Sequence, residues 1–584
     1  MTAPAIKLRV NNASYDCSMD ASEILRQIYS SRGITEQAQL DYQLKNLPSP
    51  SLMKSNMAAG KILADAISRQ DKLLVVADFD VDGATSCALM VLALASMGAE
   101  HVDYLVPDRF KFGYGLTPGI VDVAAQLSPD LIITVDNGIA SIDGVQRAKQ
   151  LGIDVLITDH HLPGKQLPDA LAIVNPNQQG CEFPSKSLAG VGVAFYLLLA
   201  VRNQLRELGW FGHSNQTEPN LGRFLDLVAL GTVADIVPLD QCNRILVSQG
   251  MNRIRSGHCR PGITALLNIA NKDIHRIQTS DLGFAVGPRL NAAGRLDDMS
   301  LGIECLLTNN EEKAGRLAVE LERLNKERRG IEDTMQQQAR DSLNTLTLEG
   351  DDIEAGLCLY QADWHQGIIG LLASRIKDKI FRPVIIFADG DAEQKGELGN
   401  EGSEELLKGS ARSIPGLHIR DILDQVATEN PQLLNKFGGH AMAAGMTIKK
   451  ADLPAFTEQF NRAVISAMNG NPIDNIVLSD GELPDSQMTL HLARELREAG
   501  PWGQGFEEPI FHGDFKVITQ RTLSGKHLKL QLENQSGKSF DGIAFFQEQQ
   551  LLDSQLDVVK LVYRLDVNYF RDRENLQLMI QHIF

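Results

Sequence analysis

An apolar run, LLVVA at residues 73–77, breaks into DFDVDG, which sets Asp78, Asp80 and Asp82 at alternate positions ahead of a glycine and a helix-like segment. Along an extended chain that spacing sends Asp78 and Asp82 to one face and Asp80 to the other. Gly83 is expected to supply the turn that regroups them. Carboxylates crowded together at neutral pH repel, and a divalent cation is the usual partner that holds them, acting as a Lewis acid or a source of hydroxide. A solvated acidic turn is the plain alternative. D-x-D-x-D-G also opens an EF-hand loop, but that loop needs a glutamate at its twelfth position, which counted from Asp78 is Leu89. An EF-hand loop also follows a helix, whereas LLVVA is a strand-like run.

Three further segments repeat the pattern of an apolar run ending in a carboxylate. LIITVDNG (131–138) ends at Asp136, VLITDHH (155–161) ends at Asp159, His160 and His161, and LVALGTVADIVPL (227–239) carries Asp235. Helical patterns over 86–97 and 142–151 lie between such runs, and strands alternating with helices predict a parallel α/β sheet. Ligands of such sheets sit beyond the carboxyl ends of the strands at a switch point. That rule gathers Asp78, Asp80, Asp82, Asp136, His160, His161 and Asp235 at one edge, reading all four segments as strand ends. Several carboxylates with imidazole and no cysteine suit Mn2+ or Mg2+, and the imidazole favours Mn2+. The carboxylates suffice for two ions sharing a bridging aspartate, an arrangement suited to activating water against phosphorus.

The three-aspartate run, VDNG, the Asp159–His160–His161 triplet and NKFGGHAMAAG (435–445) resemble the DHH phosphoesterase superfamily with its DHHA1 partner domain. Together with VPDRFKFGYGL (106–116), LGTVADIVPLD (230–240), GPRLNAAGRLDDMS (287–300), WHQGIIGLLASRI (364–376) and GSARSIPGLHIRD (409–421), the set is similar to the RecJ-type single-stranded-DNA exonucleases over roughly residues 70–545. The resemblance implies that Asp80, Asp82, Asp136, His160 and Asp235 hold two divalent ions, with Asp136 bridging. It implies that His161 faces the scissile phosphate and that Asp159 orients its neighbours. Asp78 stands where relatives acting on small phosphates often have histidine, so it is carried either as a ligand or as a carboxylate that orients a ligating histidine.

Substrate contacts are expected in RFKFGYG (109–115), where cations and rings interleave: Arg109 for phosphate, Tyr114 and its neighbours for bases. A surface hairpin with its rings packed inward fits the same alternation. The resemblance implies that Arg109, Ser410 and Arg412 form a pocket for a 5′ phosphate, which a bidentate guanidinium suits. It also implies that Arg289, Asn291 and Arg295 contact the strand, and that His440 reaches the reacting phosphate where Gly438 and Gly439 allow close backbone approach.

At 584 residues the chain predicts several domains. The expected architecture is α/β: an extension over 1–45, a parallel-sheet DHH domain over 46–305, and a connecting helix over 306–345. A smaller α/β DHHA1 domain follows over 346–468, and a C-terminal OB-type β-barrel over 469–584. Catalysis is expected between the two α/β lobes. The charged stretch 311–343 carries apolar residues near helical spacing, with a coiled coil as competitor. GDFKVITQ, HLKLQLE, SFDGIAFF and VKLVYRLDV alternate like barrel strands, and Arg521, Lys526, His527 and Lys529 give them a basic face. The net charge of −18 argues against a general polyanion binder, so a narrow basic groove in an acidic body is expected. No run is long enough to span a membrane, and the first residues, MTAPAIKLRV, carry no signal-peptide pattern. Seven dispersed cysteines without C-x-x-C predict reduced thiols in the cytoplasm.

The expected activity is 5′→3′ hydrolysis of single-stranded DNA to mononucleotides in repair and recombination, by a monomer whose implied partners are single-strand-binding protein and a helicase. The competing readings are a DHH phosphodiesterase or pyrophosphatase for small nucleotides and a non-catalytic DNA-binding relative. An OB-type barrel argues against the first, intact ligands against the second.

Overall fold

The computed structural model describes residues 4–10, 19–108, 111–213, 216–347, 354–390, 405–434, 436–468, 475–547, 549–571 and 573–584. The chain divides into two compact units. One comprises residues 6–294, 298–322 and 477–584; the other comprises 323–476 with the short pieces 1–5 and 295–297.

In the larger unit, after the short strand β1 (Ala5–Leu8), the strands β2 (Leu73–Ala77), β3 (Val102–Leu105), β4 (Leu131–Val135), β5 (Asp154–Thr158) and β6 (Ala172–Val174) form a sheet in the order β3-β2-β4-β5-β6. All four pairings are parallel. β2 and β4 are buried along their whole length, as a parallel sheet covered on both faces requires. On one face Leu74, Val76, Ile132 and Val155 pack with Ile120, Val121, Val145 and Ala148 from the helices Pro118–Ala125 and Ile142–Gln150. Elsewhere in the unit the helices Val81–Ser96, Gly190–Glu207 and Leu225–Ala234 pack on one another. β2 has β3 on one side and β4 on the other, so winding reverses between β2 and β4. Both of those strands end in the aspartates singled out above.

Residues 227–239, expected as a fourth strand, depart from that reading. Residues 227–234 belong to the helix Leu225–Ala234, Asp235 is its C-terminal cap, and the chain beyond it is irregular. Eight residues of this helix are buried, so it carries no polar stripe to betray a period of 3.6, and an apolar run with hydrophobicity all round is indistinguishable from a buried strand. Gly231 lets it lie close to the helix Val81–Ser96: a Cβ there would fall 2.2 Å from Thr85 Oγ1 and 2.9 Å from Asp82 Oδ1. Asp235 thus reaches the strand ends from a helix.

The smaller unit holds β7 (Leu357–Tyr360), β8 (Val384–Asp389), β9 (Leu406–Arg412), β10 (Lys436–Gly439) and β11 (Ala443–Lys449), ordered β10-β11-β9-β8-β7. Only the β7–β8 pairing is parallel. Phe387, Phe456 and Phe460 are completely buried in its core. The charged stretch expected as a helix is one, Glu311–Thr347, with Ala318, Leu321, Leu324 and Met335 buried along it and ion pairs Arg323–Glu327 and Arg328–Glu332 at i,i+4.

β12 (Ile476–Ser479) pairs with β1, and the chain ends in a closed barrel of β13 (Phe511–Leu523), β14 (His527–Glu533), β15 (Ser539–Ala544), β16 (Val558–Phe570) and β17 (Arg573–Ile583). Its order, β13-β14-β15-β17-β16, with only β15–β17 parallel, is the five-stranded OB arrangement. The N-terminal helix Glu23–Ser31 is tied to the segment before the barrel. Tyr29 stacks on Trp502 at 6.1 Å, and Arg32 pairs with Asp480 at 2.7 Å, both side chains almost wholly buried. Among the described residues no helix is long and apolar enough to cross a membrane.

Candidate metal centre

Asp78, Phe79 and Asp80 follow β2, and the helix Val81–Ser96 begins at once, with Asp80 as its N-cap accepting from the Gly83 N–H at 3.1 Å. Strict alternation therefore never develops. Gly83 serves differently from expectation: it lies inside the helix, and a Cβ there would sit 2.4 Å from the Asp78 carbonyl oxygen, so glycine permits the first turn to close over β2. Asp82 faces the start of another helix, where Gly190 and Val191 donate backbone N–H groups to its two oxygens at 2.6 and 2.9 Å. Carboxylates are favoured at a helix N-terminus for this reason.

Beyond β4 the backbone is strained. Asp136 has φ 61°, a left-handed conformation unusual for a residue with a side chain. Asn137, fully buried, holds it there by donating to the carbonyls of Val76 and Val135, which links the ends of β2 and β4. Gly190 completes the fit, since a Cβ would come within 2.6 Å of the Asp136 side chain.

Beyond β5, Asp159 accepts from the backbone N–H groups of His160 (2.7 Å), His161 (3.0 Å) and Ile139 (2.9 Å) and contacts His161 Nδ1 at 2.7 Å. Asn177 and Asn175 donate to the carbonyls of His160 and His161 at 2.6 and 2.9 Å. The orienting role expected of Asp159 has this geometry: it fixes the turn and the His161 ring. Asn137, Asn175, Asn177 and Gly190 were not singled out in the sequence. The Asn-Pro-Asn of 175–177 is a turn signal, but only the folded chain shows which carbonyls it serves.

These elements bring three groups of ligand atoms together, each within 4.8 Å of one another: Asp78, Asp80 and Asp136; Asp136, His160 and His161; and Asp82, His160 and Asp235. Asp78 stands on the same footing as Asp80. His160 Nε2 lies 3.2 Å from Asp136 Oδ1 and 3.5 Å from Asp235 Oδ2.

Burial, with the charges of Asp82 and Asp80 next, drives the Asp136 carboxyl well above its usual range, and burial with Asp82 does the same to Asp235. Burial and Asp80 push Asp82 up to about 7 against the pull of its two N–H donors. Burial opposes a charge on His161, but the hydrogen bond and charge of Asp159 prevail and raise its pKa. The residues fit a divalent cation on two counts. The buried atoms Asp136 Oδ1 and Asp235 Oδ2 accept no hydrogen bond from the described residues. The donor set, carboxylate oxygens with imidazole nitrogen, matches Mn2+ or Mg2+.

Tyr114, expected at the substrate, is joined to this centre. Its hydroxyl donates to the Asp136 carbonyl at 3.1 Å, its ring meets His161 edge-on at 5.7 Å, and nearly half of the residue remains exposed. Arg109 lies outside the described residues. Arg289 differs from the expected strand contact: it is buried, its guanidinium ion-paired with Glu322 at 2.8 Å and donating to the Ala285 carbonyl at 2.6 Å. Asn291 is half-buried on the same helix, Gly287–Leu296.

In the smaller unit Arg295 donates to the Gly367 carbonyl at 2.9 Å. Ser410 and Arg412 project from the same face of β9 and are bonded at 3.0 Å. They sit against the first turn of the helix Ile369–Ile380, where a Cβ on Gly370 would meet both within 2.9 Å, so a guanidinium, a hydroxyl and a helix N-terminus converge. Gly438 and His440 are exposed, and Gly439 adopts φ 147° beside the Ala443 carbonyl.

Comparison with known proteins agrees with this architecture. Residues 72–232 match the DHH family, N-terminal domain; 354–466 match the DHHA1 domain; 479–582 match the RecJ OB domain. The chain is 49% identical to the single-stranded-DNA-specific exonuclease RecJ of Dickeya dadantii, covering 96% of each. A crystal structure of RecJ with Mn2+ from Thermus thermophilus superposes with a TM-score of 0.77 at 28% identity, covering 97% of this chain and 76% of that one. The Mg2+ structure of RecJ from the same organism gives 0.71 at 26% identity, covering 97% and 75%.

Proposed function

The chain belongs to the RecJ family of single-stranded-DNA-specific exonucleases, and from that premise we propose that it hydrolyses single-stranded DNA from the 5′ end, releasing mononucleotides during repair and recombination. The observation that carries this reading is the sharing of Asp136 between one group of ligand atoms with Asp78 and Asp80 and another with His160 and His161. We assign the first ion to Asp78, Asp80 and Asp136, and the second to Asp136, His160, Asp82 and Asp235. Divalent cations bound there supply Lewis-acid charge at the phosphate and lower the pKa of an attacking water.

The chain's own groups do the rest. Asp159 holds His161 by its Nδ1, so Nε2 is directed to the phosphate that the Tyr114 ring helps to place. The positive φ of Asp136, fixed by Asn137, turns its carboxylate toward both groups of ligands. Ser410 and Arg412, with Arg109, take the 5′ terminal phosphate, which makes the end rather than the interior of a strand the preferred substrate. His440, flanked by Gly438 and Gly439, approaches the reacting phosphate. Arg295 and Asn291 are assigned to the strand, whereas the buried ion pair of Arg289 supports a positioning role for it. We further place the protein in the cytoplasm as a monomer working beside single-strand-binding protein and a helicase; the six described cysteines, all free thiols, are in keeping with a reducing compartment.

The test presents the purified protein, with Mn2+ or Mg2+, with a 5′-phosphorylated, 3′-blocked single strand and the matching duplex. Mononucleotides released from the 5′ end of the single strand alone are expected. No shortening of the 3′-blocked strand, or equal digestion of the duplex, overturns the assignment.

A further inference from the structure

In the smaller unit the segment WHQG, residues 364–367, leads into the helix Ile369–Ile380, and its histidine has no part in the groups described above. The residues on either side of it are tied down. Trp364 is buried and donates through Nε1 to Gln338 Oε1 at 2.7 Å, and Gln366 donates to the Asp389 carbonyl at the end of β8 at 2.9 Å. His365, half-buried between them, accepts the Gly367 N–H on its Nδ1 at 3.1 Å. A neutral ring that accepts at Nδ1 carries its proton on Nε2, so this turn fixes the tautomer and leaves Nε2 a donor.

Gly367 and Gly370 show what surrounds that ring. A Cβ on Gly367 would lie 3.1 Å from His365 Cε1 and 2.6 Å from the Arg295 carbonyl oxygen, while a Cβ on Gly370 would lie 2.8 Å from Arg412 Nη2 and 2.9 Å from Ser410 Oγ. The N–H groups of Ile368 and Ile369 donate to the His365 carbonyl at 2.9 and 3.2 Å, which winds this stretch as a helical turn. Positions three apart on such a turn are about 5–6 Å from each other at Cβ. The imidazole and the Ser410–Arg412 pair therefore occupy neighbouring spaces over one turn, kept open by the two glycines. A phosphate between them has both within hydrogen-bond reach.

We propose that His365 donates from Nε2 to a 5′ terminal phosphate held by Ser410 and Arg412, and that this bond selects a terminal monoester over the diesters of the strand. A diester has two unesterified oxygens, which a guanidinium and a hydroxyl can serve. A monoester has three, and an anionic oxygen left without a donor away from water is costly. The His365 N–H meets that third oxygen. The proposal rests on the terminal-phosphate reading of Ser410 and Arg412, and adds to it the residue that tells the end of a strand from its interior.

The experiment compares the full chain with His365→Asn and His365→Ala. Asparagine can still accept the Gly367 N–H two residues on, as in an Asx turn, so it keeps the loop and withdraws the donor that Nε2 extends. Release of the first nucleotide, in a single turnover with Mn2+, is read on short single strands that differ only in carrying a 5′ phosphate or a 5′ hydroxyl. The ratio of the two rates is expected to fall roughly 10- to 100-fold in both variants, the loss of one hydrogen bond to a charged group. An unchanged ratio overturns the proposal, including the case of equal losses on both strands, which is what a purely structural histidine would produce. Arg412→Ala separates the two readings. If it lowers the ratio and the His365 variants do not, the pocket stands and the role of His365 falls; if no variant moves the ratio, the terminal-phosphate reading fails with it. If the wild-type protein cuts no DNA at all, the exonuclease reading fails, while the affinities of the same two strands, read by anisotropy without divalent metal, decide the role of His365 by the same ratio.

Discussion

Asp136 and Phe546 both hold a left-handed backbone, φ 61° and 52°, in opposite surroundings. Asp136 is buried and fixed from several directions, by Asn137 across β2 and β4, by Gly190 against its side chain, and by Tyr114 on its carbonyl. Phe546 is exposed, with its N–H on His527. Hydrolysis needs atoms placed within about 0.5 Å, so strain is locked in by packing. The exposed Phe546 ring places no such demand on its surroundings. Changes around Asp136 should therefore be severe and felt at long range, and changes around Phe546 mild and local.

The largest expected effect comes from Asp136→Asn. Asparagine accepts the left-handed conformation, so the variant removes the charge and keeps the backbone. Hydrolysis should fall by about 10³-fold or more. Without metal its thermal midpoint should be no lower than that of the wild type, because one of several crowded buried carboxylates is gone. Added Mn2+ should raise the midpoint of the wild type and not of the variant. Full activity, or an equal Mn2+ shift in both, removes Asp136 from the centre.

Next is Gly231→Ala, distant in sequence from every motif aspartate but Asp235. Its Cβ would strike Thr85 Oγ1 and Asp82 Oδ1, and overpacking of this kind costs about 1–3 kcal/mol. Calorimetry should show that loss, together with weaker Mn2+ affinity. Asn177→Ala should be milder: it frees the His160 carbonyl, and a lost orienting contact behind a ligand typically costs about 10–100-fold in metal affinity or activity. If metal titration shows wild-type affinity, the backbone of His160 needs no such clamp.

The contrast also explains what could be read from sequence. Asp78, Asp80, Asp82, Asp136, His160 and His161 were legible because each follows a short apolar run at the end of a parallel strand, where period and chemistry agree. Asp235 lies beside Asp82 and His160 but comes from a helix, not the expected strand, since a helix buried on all sides has no polar face. Asn137, Asn175 and Asn177 act on carbonyls of other segments, and no spacing rule announces that. Arg289 reads as a cation ready for phosphate until Glu322, on another helix, is seen to hold it. The barrel was legible from alternation, but alternation is silent about Phe546, whose ring is exposed by a backbone conformation.

The smallest effect sharpens the comparison most. Phe546→Gly removes the ring and relieves the left-handed strain, for which glycine carries no steric penalty. Because that ring is 78% exposed, little burial is lost. The melting temperature should therefore stay level or rise slightly, with a gain of at most about 1 kcal/mol, set against the greater chain entropy of glycine. A level or raised midpoint would show that the fold does not need the Phe546 ring in that conformation. A clear loss of stability would show that the Phe546 ring, like the Asp136 carboxylate, is held by packing, and the distinction between the two sites would collapse.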